Sequence, residues 1–275
     1  MSENLSRIFE ERFGIKTDPD DIEKLQKYII DVYGRVDPQI TDRVFSSGEA
    51  ADFLTVNETY FFREPAHFSF FWDLLPSYEN EIQICCAASA NGCEAYSIAM
   101  MIEAYKKTAS RAKAAPYRID AFDINPKVIE SARRGIYTER AMREDGKCFH
   151  YMAAPWLSKP QNAAAGELYQ VDPSLQNNIH FFVHNLMDAL LPEERKAAAS
   201  YDLIFFRNAF IYFLPQYRER VLSNLISVLK DGGILIMGVS ETAGARHKDI
   251  EGKNNGDVFY FQKISGGNAG SPVSL

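Results

Sequence analysis

From Glu81 onward, short, largely apolar runs alternate with longer stretches in which apolar residues return every three or four positions. The runs Ile82–Ala88, Arg118–Asp123, His180–His184, Tyr201–Phe206 and Ile234–Val239 have the length and side-chain content of buried strands. The stretches Glu94–Lys107, Pro126–Arg134 and Gln216–Leu229 carry the helical period. Alternation of this kind predicts an α/β fold around a parallel sheet. Lys230-Asp231-Gly232-Gly233 reads as a helix stop and turn, and Asp257–Ile264 as a last strand after a polar turn.

The opening stretch has a different pattern. Leu5, Ile8, Phe9 and Phe13 fall at helical spacing, as do Ile22, Leu25, Ile29, Ile30 and Val32-Tyr33; Asp18-Pro19-Asp20-Asp21 is a capped helix start. Residues 1–55 therefore read as a helical domain ahead of a main domain over 56–264. Inside the latter, Ala141–Asn178 breaks the alternation with Pro155, Pro160, Pro173 and an alanine run, and reads as a partly extended insertion between two sheet strands. The Gly- and Ser-containing segment 265–275 reads as a disordered tail.

Composition narrows the classes. A chain of 275 residues, 46% hydrophobic and 24% charged, can bury a full-sized core. A net charge of -7 argues against nucleic acid as the main partner, since phosphates call for a basic stripe. No apolar run is long enough to span a bilayer, and Met1-Ser2-Glu3-Asn4 lacks the basic start of a leader, so a cytoplasmic location is expected. Cys85, Cys86, Cys93 and Cys148 form no Cys-x-x-Cys pair, and neighbours on a strand point to opposite faces. They read as buried reduced thiols, and the five scattered histidines suggest no metal.

Candidate chemistry sits where strands end. Ala88-Ser89-Ala90-Asn91-Gly92-Cys93-Glu94 is a turn of small residues opening a helix, although it lacks the Gly-x-Gly-x-x-Gly fingerprint of dinucleotide sites. Asp123, at the end of the second strand, suits either ribose hydroxyls or a helix cap; Asn125 is the better cap. Arg207-Asn208 follows a buried strand directly, where polar groups are costly to desolvate unless they bind something. Asp202, near that strand's start, reads as structural. In Asn57-Glu58-Thr59-Tyr60-Phe61-Phe62-Arg63-Glu64, pattern alone makes the aromatics core anchors and Arg63-Glu64 a solvated pair.

Taken together, Asn57–Glu64, Ala87–Met100, Ala121–Tyr137 and Arg207–Phe213 resemble, in order and spacing, the CheR family of chemotaxis-receptor glutamate methyltransferases. That family shows Asn-x-Thr-x-Phe-Phe-Arg-Glu, a turn like Ser-Thr-Gly-Glu-Glu-Pro-Tyr-Ser, a Ser-Asp-Ile turn, an Asn-Leu pair and Cys-Arg-Asn-x-x-Ile-Tyr-Phe. The resemblance covers roughly residues 50–245. Here Cys93 and Ala95 replace a glutamate and the proline of the turn, and Phe206 replaces the cysteine before Arg207.

The resemblance implies a Rossmann-like class I methyltransferase sheet with N-terminal helices and a small inserted β subdomain. It implies S-adenosylmethionine as cofactor, with S-adenosylhomocysteine as product. Asn57, Thr59, Arg63, Glu94, Asp123, Asn185, Leu186, Arg207 and Asn208 match cofactor positions, and Arg63, Arg207 and Tyr212 match the catalytic centre. The implied acceptor is a glutamate on the cytoplasmic helical region of a chemotaxis-type receptor, methylated by a monomer that neither inserts into membranes nor binds nucleic acid. Such a carboxylate is already ionised near neutral pH, so no general base is needed. Arg63 and Arg207 are then the candidates to hold it; one of them with Tyr212 orients the acceptor while the other shapes the site. Family members present basic N-terminal residues to acidic receptor helices, whereas residues 1–50 here hold seven Lys and Arg against eleven acids. A small-molecule methyltransferase on the same fold and a non-catalytic cofactor-binding module are the alternative readings.

Overall fold

The computed structural model describes residues 2–54, 58–108, 115–162, 166–189 and 201–264. The segment 265–275, read above as a tail, and Asn57 lie outside the described residues. Among the described residues there are ten strands: β1 (Ile82–Ala87), β2 (Tyr117–Asp123), β3 (Ile136–Thr138), β4 (Leu157–Ser158), β5 (Glu167–Val171), β6 (Ile179–Val183), β7 (Tyr201–Phe206), β8 (Leu229–Met237), β9 (Ile250–Asn254) and β10 (Phe259–Lys263). Seven form one sheet in the order β6-β2-β1-β7-β8-β10-β9. Neighbours from β6 through β8 are parallel, while β10 runs antiparallel to β8 and to β9.

The helices are α1 (Ser2–Phe13), α2 (Pro19–Tyr33), α3 (Pro38–Ser46), α4 (Ala51–Leu54), α5 (Pro65–Leu74), α6 (Cys93–Lys106), α7 (Pro126–Arg134), α8 (His150–Ala153), α9 (Pro173–Gln176) and α10 (Pro215–Val228). The central strands β1 and β7 are buried on both faces, which is why they read as continuous apolar runs, whereas the edge strand β6 exposes His180 and Val183. Cys86 belongs to the core on one face and Cys85 to the core on the other. Cys85, Cys86 and Cys93 are buried thiols; Cys148 is exposed, against the expectation, because it sits on a surface 3₁₀ segment of the insertion. Asp202 takes its structural role: Oδ2 accepts from the Gln83 backbone N–H at 2.9 Å and Oδ1 from Lys230 Nζ at 2.8 Å, fastening the starts of three strands.

Two stretches depart from the sequence reading. Lys230–Gly233 is not a turn after the helix but part of β8. Tyr201 pairs with Leu229 and Leu203 with Ile234, so the glycines sit in a bulge, and Gly232 takes φ +74°. Strand β9 had no apolar alternation to announce it, since Glu251, Gly252 and Asn254 stand exposed on the sheet edge.

In the N-terminal helices, Leu5, Phe9 and Phe13 of α1 meet Ile22, Leu25 and Ile29 of α2 and Val44 and Phe45 of α3. Ile30 and Val32 stay outside this core, 43% and 54% exposed. These helices dock against the sheet domain at two close approaches. A side chain on Gly48 would come within 2.8 Å of Pro126, and one on Gly14 within 2.5 Å of the Met187 sulfur. Between α1 and α2, Ile15 forms an antiparallel bridge with Phe213, flanked by Lys16 N to Tyr212 O (3.0 Å) and Leu214 N to Gly14 O (2.8 Å).

The insertion carries a three-stranded sheet, β3-β5-β4, whose first strand starts at Ile136, ahead of Ala141. Its 3₁₀ segment Glu144–Phe149 lies directly on Phe61-Phe62: a Cβ on Gly146 would sit 2.5 Å from the Phe61 carbonyl, and Phe149 stacks on Phe62 with centroids 5.5 Å apart. Among the described residues, no helix is long and apolar enough to cross a membrane.

Candidate active site

A pocket opens beyond the carboxyl ends of β1, β2 and β7. There β1 is flanked by the strand that follows it and by one formed much later in the chain, the switch point at which open α/β sheets bind ligands. Thr59, Arg63, Glu94, Asp123, Asn185, Leu186, Arg207, Asn208 and Tyr212 all line it.

The turn after β1 makes the first wall. Ala88 and Ala90 both have positive φ, +57° and +46°, a conformation costly for residues with a Cβ. Tertiary hydrogen bonds hold it: Ser89 N donates to Phe122 O at 2.8 Å and Ala90 N to Asp123 Oδ2 at 2.9 Å. Asp123 Oδ1 accepts from Asn125 N at 3.0 Å. Burial pushes the Asp123 carboxyl up, and these backbone N–H groups oppose it. Asn125 caps α7 by accepting from Lys127 N at 2.9 Å, so pocket acid and helix cap are separate residues. Ser89 Oγ and His184 Nε2, on two residues of the lining, have no hydrogen-bond partner among the described residues.

The second wall is a buried polar cluster centred on Arg207, which is 6% exposed. Its Nε donates to His67 Nδ1 at 3.1 Å, Nη1 to Glu94 Oε2 at 2.8 Å, and Nη2 to Glu64 Oε2 at 3.3 Å and to the Arg63 carbonyl. Burial lowers the His67 pKa against the pull of Glu64, so the ring is neutral near pH 7 and Nδ1 can accept from the permanently charged guanidinium. Burial alone would raise the Glu64 carboxyl; its contacts with His67, Arg207 and Asn208 outweigh that and hold it at about 2. Among the described residues Arg207 Nη2 and Asn208 Nδ2 also donate to the Glu64 carboxylate. Glu94, at the first turn of α6, is pushed up by burial and pulled down by Arg207.

This geometry separates the two arginines. With its guanidinium committed to His67, Glu94, Glu64 and the Arg63 carbonyl, Arg207 is not left open to solvent as Arg63 is. Nor is Glu64 solvated: it also accepts from Asn208 Nδ2 at 2.9 Å. Arg63 is partly exposed, and among the described residues its guanidinium donates one hydrogen bond, Nη1 to Glu58 O at 3.0 Å. Asn185 is also partly committed, with Nδ2 donating to Arg12 O at 2.9 Å and Oδ1 accepting from Met187 N at 3.0 Å.

Several site residues were not named from sequence. Phe13 and Ile15 reach the pocket from the N-terminal helices, Phe68, Phe122 and Ile124 add apolar lining, and His184 adds an imidazole. Glu241 is buried behind Asn208; its carboxylate accepts from Asn208 N (2.7 Å), Gly238 N (3.0 Å) and Ile211 N (3.1 Å). That grip fixes the turn carrying Asn208 and Tyr212, with Asn208 at φ +59°. A single acid far along the chain offers no local signal for this. The Arg-Asn pair after a strand was the nearest clue.

A mostly parallel sheet of this order, with a pocket at its switch point and an acid ending β2, is a Rossmann-like ligand-binding fold. The pattern of the CheR methyltransferase, SAM binding domain, matches residues 57–259, and the chain belongs to the CheR methyltransferase family. It is 34% identical over 203 residues to a chemotaxis protein methyltransferase of Borreliella burgdorferi, covering 70% of this chain and 67% of that one. A chemotaxis protein methyltransferase of Vibrio parahaemolyticus is 32% identical over 200 residues, with 70% and 67% covered. One from Escherichia coli is 31% identical over 191 residues, with 68% and 62% covered.

The pocket suits S-adenosylmethionine chemically. Phe13, Ile15, Phe122, Ile124 and Leu186 offer apolar surface for a planar base, Asp123 a hydroxyl acceptor, and Glu94 a buried acid for a cationic group; Ser89 and His184 add polar atoms without partners among the described residues.

Proposed function

We propose that this protein transfers a methyl group from S-adenosylmethionine to glutamate side chains of a chemotaxis-type receptor, forming methyl esters. The observation that carries the reading is that Arg63 and Tyr212 line the same pocket as Asp123 and Glu94. A site for a cationic donor and a site for an anionic acceptor are thereby contiguous. When bound, the cofactor supplies a methyl group activated by its positive sulfur.

The chain's own residues supply position. Asp123, Asn185 and Leu186 hold the nucleoside end; Glu94, Thr59 and Asn208 hold the end carrying the reactive centre. Arg63 and the Tyr212 hydroxyl orient the acceptor carboxylate, and Arg207 acts from behind by fixing the Arg63 backbone and Glu94. No proton needs to leave a carboxylate that is already ionised, so nothing in the site has to act as a base. Orientation is then the main contribution, a term that can reach roughly 7–11 kcal/mol in well-aligned reactions. The grip on the acceptor must be loose, since the attacking oxygen loses charge as the ester forms. Few protein partners on Arg63 and a single hydroxyl on Tyr212 fit that need better than a fourfold-committed Arg207 would. The finer reading places the acceptor on the receptor's cytoplasmic helical region and the enzyme in the cytoplasm as a monomer.

Substitution of Arg63 by Ala tests the assignment. With receptor-bearing membranes and radiolabelled cofactor, turnover should fall by two orders of magnitude or more, on the order of 3 kcal/mol. Calorimetric affinity for S-adenosylhomocysteine should fall much less. Unchanged transfer by this variant removes Arg63 from the reaction.

A further inference from the structure

Arg143, on the insertion, shares the Tyr60 ring with Arg63 and reaches two residues of the pocket lining, Glu58 and Tyr60, without lining the pocket itself. The Cζ of Arg143 lies 4.6 Å from the centroid of the Tyr60 ring, and the Cζ of Arg63 lies 5.6 Å from the same ring. The Tyr60 hydroxyl donates to Asp145 Oδ2 at 2.7 Å, pinning the insertion to that ring. Arg143 Nη2 donates to the side-chain carboxylate of Glu58, while Arg63 donates to the Glu58 carbonyl. Glu58, Tyr60 and Arg63 line the pocket. The side chains of Arg143 and Glu58 are 43% and 60% exposed, so both are open to an incoming chain.

We propose that Arg143 is a specificity residue for the acidic acceptor segment, and that the Glu58 carboxylate occupies its guanidinium until a carboxylate of the acceptor displaces it. The inference rests on the glutamate-methylating reading above. Its place over the Tyr60 ring holds the cation beside the pocket lining, and a guanidinium suits bidentate carboxylate recognition. The resident pair is exposed, and exposed pairs are weak, so exchanging one carboxylate for another meets little resistance. At rest, Arg63 and Arg143 are balanced by Glu58 and Asp145. A chain without an acidic group at this position therefore finds no net attraction, whereas one that replaces Glu58 does. The step is an exchange of ion-pair partners, with no covalent bond made or broken.

The test uses the full chain, receptor-bearing membranes as acceptor and tritiated S-adenosylmethionine, with KM for the acceptor and kcat measured over a range of salt. Affinity for S-adenosylhomocysteine is measured by calorimetry alongside. Arg143→Gln should raise the acceptor KM roughly threefold to tenfold, with the effect falling on KM rather than kcat and with cofactor affinity retained. It should also flatten the rise of KM with salt that the unaltered protein shows. Glu58→Gln should lower the acceptor KM, and Arg143→Lys, keeping charge but losing the planar fork of donors, should fall between. An acceptor KM and salt dependence unchanged by Arg143→Gln overturn the inference, as does loss of cofactor affinity in step with activity, which marks a purely structural role. Absence of base-labile label with the unaltered protein is a separate result. It overturns the receptor reading, and this inference with it.

Discussion

Arg207 Nη1 donates to Glu94 Oε2 at 2.8 Å, joining the loop after β7 to the first turn of α6 through a guanidinium whose side chain is 2% exposed. The two walls of the pocket are therefore fixed to each other before any ligand arrives. Removing the cation should leave Glu94 and Glu64 buried without their partner. Arg207→Ala is expected to lower the free energy of unfolding by about 3–5 kcal/mol, measured by denaturant titration, as well as abolishing transfer. Loss of activity at full stability would mean that Arg207 touches the reactants and is not a structural hub.

Asp123 already accepts one backbone N–H on each oxygen, with lone pairs remaining for ribose hydroxyls. Asp123→Ala should weaken S-adenosylhomocysteine binding by roughly 1.5–3 kcal/mol. Calorimetry returning the unaltered affinity contradicts the assignment.

The depressed Glu64 carboxyl makes a signed prediction about pH. Its folded value of about 2 lies below the ordinary 4.5, so it contributes stability that is fully present above about 4.5 and lost as pH falls toward 2. Glu94, Asp123 and Glu241 are shifted the other way, so the whole-protein acid profile is a sum of opposing effects. The difference between the unaltered protein and Glu64→Gln isolates one member. That difference should shrink by about 2 kcal/mol between pH 5 and pH 2.5, allowing for residual exposure. A difference that stays flat over this window shows that Glu64 is not held ionised by Arg207 and Asn208.

Glu241 tests whether activity depends on a carboxylate that does not line the pocket. Gly238 leaves room for it: an added Cβ would lie 2.7 Å from Glu241 Oε2 and 2.8 Å from Asn208 Nδ2. Gly238→Ala and Glu241→Ala should each displace the turn carrying Tyr212, cutting kcat more than cofactor affinity. The second should also cost about 1–3 kcal/mol of stability through stranded N–H groups. Normal kcat in both would confine Glu241 to a structural role.

The parts legible in sequence were those whose signal is local. A buried parallel strand such as Ile82–Ala87 is apolar throughout, and α7 announces itself with Asn125 at one end and Gly135 at the other. The Lys230–Gly233 bulge misled because glycines after a helix have the same look in a turn and in a strand that skips register with its neighbour. Arg207 was recognised as important, but nothing near it in the chain reveals Glu94, Glu64 and His67 closing around it. Phe13 and Ile15 were read as part of a separate helical unit; only the pairing of Gly14–Lys16 with Tyr212–Leu214 carries them to the pocket. The apolar pattern specifies which faces are buried, whereas contacts between distant segments depend on how those faces meet.

The central claim concerns the atom that receives the methyl group, and peptide mass spectrometry can locate it. Receptor-bearing membranes would be incubated with the protein and S-adenosylmethionine, then digested and sequenced before and after mild alkali. The account predicts methyl esters on glutamate side chains of a receptor, lost on alkaline treatment and absent with Arg63→Ala. Methyl groups found solely on small molecules, or on nitrogen in an alkali-stable linkage, would contradict it.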